Sequence, residues 1–93
     1  MNKRAVYIQE RRPLFWSVSD QKLTQISDEL LVETILNYGT LEDVKSLFDV
    51  LGLAHTARIF YKTSGHGRRS NYFPEVANFF NLYFERYAPG NSV

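Results

Sequence analysis

Two helix signals that meet at Gly39-Thr40 constrain this chain more than any other feature of it. Ser27 stands where a side-chain oxygen would accept a free backbone N–H at a helix start. Asp28 and Glu29 follow in the first turn, where the helix dipole favours negative charge. Leu30, Leu31, Val32, Ile35, Leu36 and Tyr38 then spread around more than half the circumference, which predicts a helix buried on several sides. Gly39 reads as a left-handed stop. Thr40-Leu41-Glu42-Asp43 begins the next helix at once, as a capping box with Asp43 in place of the usual Glu or Gln. Leu41, Val44, Leu47, Phe48 and Leu51 form one stripe at helical spacing, and Gly52 closes it. Helices joined this closely pack back on each other, so residues 28–51 are expected to form an antiparallel helical hairpin.

The rest of the chain supplies shorter elements around that hairpin. Pro13 disfavours helix at Arg12, so residues 1–13 read as a basic N-terminal arm, or as a short helix if Val6, Tyr7 and Ile8 find a surface. Leu14-Phe15-Trp16-Ser17-Val18 is too short for a helix of its own and reads as an extended apolar anchor. Ser19-Asp20 is placed to cap a short turn containing Leu23 and Ile26. A third helix is expected over Ala54–Lys62, then a loop through the glycines and polar residues of 63–71. Pro74 suits the first position of a last helix, which runs to about Tyr87 and stops before Pro89-Gly90. The expectation is an all-α domain of four or five short helices over residues 14–88, with 89–93 as a tail.

That last helix is more apolar than a small core needs. Phe73, Val76, Ala77, Phe80, Phe84 and Tyr87 make one stripe, and Phe79, Leu82 and Tyr83 widen it beyond half the circumference. Contact with one small core takes an arc of about 100°. The excess is expected to meet a second neighbour or another chain. Large rings carry this chain throughout: it has seven Phe, six Tyr and one Trp in 93 residues.

Several function classes are disfavoured. The chain has no cysteine, so neither a disulfide framework nor a thiolate metal site is available. His55 and His66 do not form a His-x-x-x-His pair. Ser64-Gly65-His66-Gly67 is neither a nucleophile elbow nor a phosphate-binding loop. The acidic pairs Asp28-Glu29 and Glu42-Asp43 sit where caps and dipole partners belong. No enzyme activity, cofactor, metal or small-molecule substrate is expected. Charges interrupt every apolar run short of a membrane span, and a cytoplasmic location is the default.

Charge is unevenly distributed along the chain. Residues 1–19 carry four bases and one acid, residues 20–49 two bases and seven acids, and residues 50–93 five bases and two acids. One reading is mutual neutralisation across the fold. The other is a nucleic-acid surface made of Arg11 and Arg12 in the arm and Arg68 and Arg69 in the loop. Protein binding is the leading expectation, with Phe79, Tyr83 and Arg86 as first contacts and Phe15 and Trp16 as second. The same apolar helix face could also pair with itself.

The run from Leu14-Phe15-Trp16-Ser17-Val18 through Ile35-Leu36-Asn37-Tyr38-Gly39, Thr40-Leu41-Glu42-Asp43-Val44 and Phe79-Phe80 resembles a known family. Its members are small, uncharacterised bacterial helical proteins found beside abortive-infection-type nucleotidyltransferase toxins. The resemblance spans roughly residues 14–87, and Tyr38-Gly39-Thr40-Leu41-Glu42-Asp43 is its most specific part. It implies an antitoxin-like role, restraining a neighbouring toxin by binding it, and carries no catalytic residues with it.

Overall fold

A computed structural model of the chain describes residues 2–64 and 71–89. Among these residues there are five α-helices and no strand: α1 (Lys3–Glu10), α2 (Asp28–Tyr38), α3 (Leu41–Leu51), α4 (Leu53–Ser64) and α5 (Pro74–Tyr87). Two 3-10 turns, Arg12–Phe15 and Leu23–Gln25, lie between α1 and α2. The fold is a small all-α bundle.

The hairpin starts where its caps say it should. Ser27 Oγ accepts the Leu30 N–H at 3.1 Å. Thr40 and Asp43 form the reciprocal box: Asp43 N–H donates to Thr40 Oγ1 at 3.1 Å, and Thr40 N–H to Asp43 Oδ2 at 2.9 Å. Gly39 works differently from the left-handed stop expected of it. Its backbone is extended, which any residue can adopt. Glycine is needed there for space, because a Cβ would lie 2.7 Å from the Ile35 carbonyl oxygen. Gly52 is the glycine whose conformation matters, with φ at +87°.

Helix α4 packs against both α2 and α3 and carries the wall of the core facing α5. Its Phe60 is buried and meets Phe84 of α5 at 5.3 Å between ring centroids and Tyr72 at 5.1 Å. The one buried polar side chain among the described residues is Thr56, and its hydroxyl donates to the Gly52 carbonyl at 2.8 Å. Helix α5 spans the residues its sequence predicts. Phe80 and Phe84 are its buried positions, and Val76, Ala77 and Tyr83 pack at the edge of the core. Its start is tied to α2 by Asn37, which accepts the Phe73 N–H at 3.1 Å and donates to the Asn71 carbonyl at 3.0 Å.

Two expectations need correction, and a third resolves to its alternative. Residues 3–10 take the short helix rather than the arm: Asn2 Oδ1 accepts the Ala5 N–H at 2.7 Å, and the helix it caps packs on α3 and the Leu23–Gln25 turn. Tyr7 and Ile8 supply the buried contacts, while Val6 stays exposed. The Leu14–Val18 anchor is not extended: a 3-10 turn over Arg12–Phe15 runs into it, because Pro13 fits a first-turn position, the Leu14 N–H reaches the Arg11 carbonyl at 2.9 Å and the Val18 N–H reaches the Phe15 carbonyl at 3.0 Å. Ser19 and Asp20 accept through their backbone carbonyls, from the Lys22 and Leu23 N–H groups, and cap nothing with their side chains.

Burial sets the expected response to substitution. Phe84→Ala, at a fully buried ring, should cost about 3–5 kcal/mol in chemical denaturation. Leu41→Ala, at a leucine 57% exposed, should stay within about 0.5 kcal/mol. Gly39→Ala should destabilise by about 1–3 kcal/mol through the clash with the Ile35 carbonyl, despite its ordinary backbone angles.

Candidate protein interface

The three arginines near the N-terminus face carboxylates of the same chain. Arg4 reaches Asp28 Oδ1 with Nε at 3.1 Å and a terminal nitrogen at 2.9 Å, and donates to the Ile26 carbonyl at 2.6 Å. Arg11 Nε meets Asp43 Oδ1 at 2.9 Å, and its guanidinium lies 3.9 Å from the centre of the Tyr7 ring. Arg12 meets Asp20 at 2.9 Å and donates to the Phe15 and Val18 carbonyls. The N-terminal segment thus neutralises part of the acidic middle segment. Arg11 and Arg12, the arm residues of the nucleic-acid reading, both make contacts within the chain. Arg68 and Arg69, with His66, lie outside the described residues.

These contacts shift the acids they touch. Backbone donation from Thr40, then the Arg11 guanidinium, holds the Asp43 carboxyl below the usual aspartate value. The His55 ring, then Arg4, does the same for Asp28. Burial pushes the Tyr7 phenol up, and its hydroxyl donates to the Asp43 carbonyl at 2.6 Å. His55 Nε2 lies 3.1 Å from Asp28 Oδ2, the one histidine–carboxylate pair among the described residues. The contact ties the first turn of α2 to α4. No group of three or more metal-ligating side chains occurs among the described residues.

Large apolar side chains stand exposed elsewhere, most of them in two groups. The Arg12–Phe15 turn sends Phe15 into the core, 1% exposed, and leaves Trp16 outside, 76% exposed. Phe15 is therefore not a surface contact, contrary to the expectation for that pair. Trp16 and Tyr38 line one open groove with Leu14, Leu30 and Asn71. The Tyr38 ring meets Phe73 edge-on at 5.5 Å. Beyond Gly39, a second shallow groove of about 200 Å³ is lined by Leu41, Val44, Val76, Phe79 and Phe80. From Phe79 the rings continue along α5, to Tyr83 at 6.2 Å and on to Tyr87 at 4.7 Å. Tyr83 is only partly exposed and stacks on Phe48 of α3 at 5.8 Å. Arg86 is exposed, with its guanidinium 5.7 Å from the centre of the Tyr87 ring.

Of the residues expected at an interface, Phe79, Tyr83, Arg86 and Trp16 lie at the surface. Leu82, part of the excess read on the last helix, joins them there, as do Tyr38, Leu41, Phe73 and Tyr87, which were not expected as contacts. Leu41 carries a readable signal, since a residue in the first turn can point away from the seam its stripe defines. No family model, curated protein or solved structure matches this chain. Among the described residues no helix is long and apolar enough to cross a membrane.

The pH dependence follows from Asp43 and Asp28. Both hold their charge to lower pH in the folded chain than the roughly 3.9 of an unfolded aspartate. Their contribution is complete above that value and is lost as pH falls through the folded-state values. Asp43→Ala removes the reciprocal cap and the Arg11 contact together. Thermal unfolding should place it about 1–2 kcal/mol below wild type at neutral pH. The two curves should converge as pH falls below the range in which an unfolded aspartate titrates. Curves that stay parallel down the acid limb would remove Asp43 from this role.

Proposed function

We propose that the chain is a cytoplasmic, non-enzymatic protein-interaction module, antitoxin-like in role, whose partner is a nucleotidyltransferase-type toxin. One observation carries the binding reading: the exposed large side chains on the two sides of Gly39, Trp16, Tyr38 and Phe73 in one group and Phe79 and Tyr87 along α5 in the other. A large ring can bury about 150–250 Å². Tyr38, Phe73, Phe79 and Tyr87 are 41–55% exposed, so together they present on the order of 400 Å². The largest apolar patch of a typical monomer is about 300–600 Å², and such patches are often functional. Trp16, Leu41 and Leu82 extend this one toward the ~800 Å² that a standard interface takes from each partner.

The composition of the set suits the role. Aromatic side chains with an arginine beside them are the residues that dominate binding energy at protein interfaces. The toxin as partner rests on the family resemblance of residues 14–87.

The test is a pull-down from the native host with tagged chain at moderate salt, read by mass spectrometry. One stoichiometric protein, a nucleotidyltransferase-like one, is the expected result. Trp16→Ala and Phe79→Ala should each weaken its capture at least about tenfold, with helical content unchanged by circular dichroism. Nucleic acid recovered alone and released by salt would replace this reading with the nucleic-acid one.

A further inference from the structure

The outward side of α5 has an order of residues that the binding reading alone does not require. At 100° per residue, Glu75, Phe79, Leu82 and Arg86 fall within an arc of about 60°. The buried rings Phe80 and Phe84 lie on the far side of the helix. All four residues of the arc are exposed, Phe79 by 51% and Leu82 by 58%. Among the described residues, neither Glu75 nor Arg86 takes part in an ion pair. An apolar pair thus sits between an acid at one end and a base at the other, on one line of a 14-residue helix.

The line is also symmetric about its centre. The midpoint between Phe79 and Leu82 coincides with the midpoint between Glu75 and Arg86 in the sequence. Two copies of α5 laid antiparallel about that point bring Phe79 of one level with Leu82 of the other. The same alignment brings Glu75 level with Arg86 of the second copy, at both ends. A parallel pairing would instead set Glu75 against Glu75 and Arg86 against Arg86. The helix dipole accounts for an acid in the first turn and a base in the last. It does not account for two half-exposed apolar residues between them on the same line.

We propose that a second copy of this chain docks on the outer side of α5, as a two-fold antiparallel helix pair with Phe79 against Leu82 and Glu75 against Arg86. The proposal rests on α5 being an interface and names the occupant of that helix when no other partner is present. Such a contact is isologous and therefore closes as a dimer. One helix of about 21 Å offers less than the ~800 Å² per partner of a standard interface, so the dimer is reversible and concentration-dependent.

Sedimentation equilibrium of the purified full chain tests it without any heterologous partner. The wild type should move from the 10.9 kDa monomer mass to twice that value as concentration rises. Glu75→Arg and Arg86→Glu should each weaken association at least about tenfold at low salt, and the double variant E75R/R86E should restore it to within about threefold. Trp16→Ala, off α5, should leave it unchanged, although the same variant weakens toxin capture. Because the chain has no cysteine, mixing F79C with L82C should give the mixed disulfide faster than either self-disulfide. A monomer at every concentration would overturn the proposal. So would a dimer whose strength ignores the single reversals, or one that the double reversal fails to restore. Failure of the wild-type chain to capture a toxin, with its dimer intact, would count against the toxin reading alone.

Discussion

Asp43 joins the turn of the hairpin to the helix that precedes it. One carboxylate oxygen accepts the Thr40 N–H and the other accepts Arg11, while the backbone carbonyl accepts the Tyr7 hydroxyl. The first contact starts α3, and the other two hold α1 against it. The Arg11 guanidinium also lies over the Tyr7 ring, so the two side chains that reach Asp43, one from α1 and one from its C-terminal cap, support each other as well. Asp28 does similar work at the start of α2, where it meets Arg4 of α1 and His55 of α4. Both aspartates occupy first-turn positions that the helix dipole favours. The same charges that start the hairpin helices therefore anchor their neighbours, and the charge contrast between residues 1–19 and 20–49 is largely internal to the fold.

This explains which parts of the structure were legible in the sequence. Caps act over three residues, so Ser27, the Thr40–Asp43 box and Pro74 could be read directly, and α5 was placed from Pro74 to Tyr87. The docking of α1 depends on pairs such as Arg4–Asp28 and Arg11–Asp43, separated by 24 and 32 residues. No periodicity marks such a pair; the only trace was the opposite net charge of the two segments. Phe15 and Trp16 failed as a unit for a geometric reason: neighbours in a tight turn point in different directions, so one is core and the other surface. Gly39 was legible as a stop but not in its cause, since the crowding that requires glycine there comes from the fold.

Helix α5 is held by few but large contacts. Phe84 meets Phe60 and Tyr61 of α4 and Phe48 of α3, while Asn37 and the Tyr72–Thr63 hydroxyl pair fix the segment that leads into it. Rings of this size satisfy the core from one side of the helix. Phe79, Leu82 and Tyr87 are then left more than half exposed, and the surplus read in the sequence becomes surface.

The way that surface is built affects what it can bind. Tyr83 is fixed by stacking on Phe48, and it in turn packs against Phe79 on one side and Tyr87 on the other. Phe79 also meets the buried Phe80 edge-on at 4.9 Å. The exposed rings are therefore supported from beneath by rings that cannot move without disturbing the core. Ordering a mobile side chain at an interface costs about 0.5–1.5 kcal/mol, and rings already packed in this way avoid much of that cost. Relatively few contacts on α5 can then yield net binding, which is what a short helix on a small domain requires of any partner it holds.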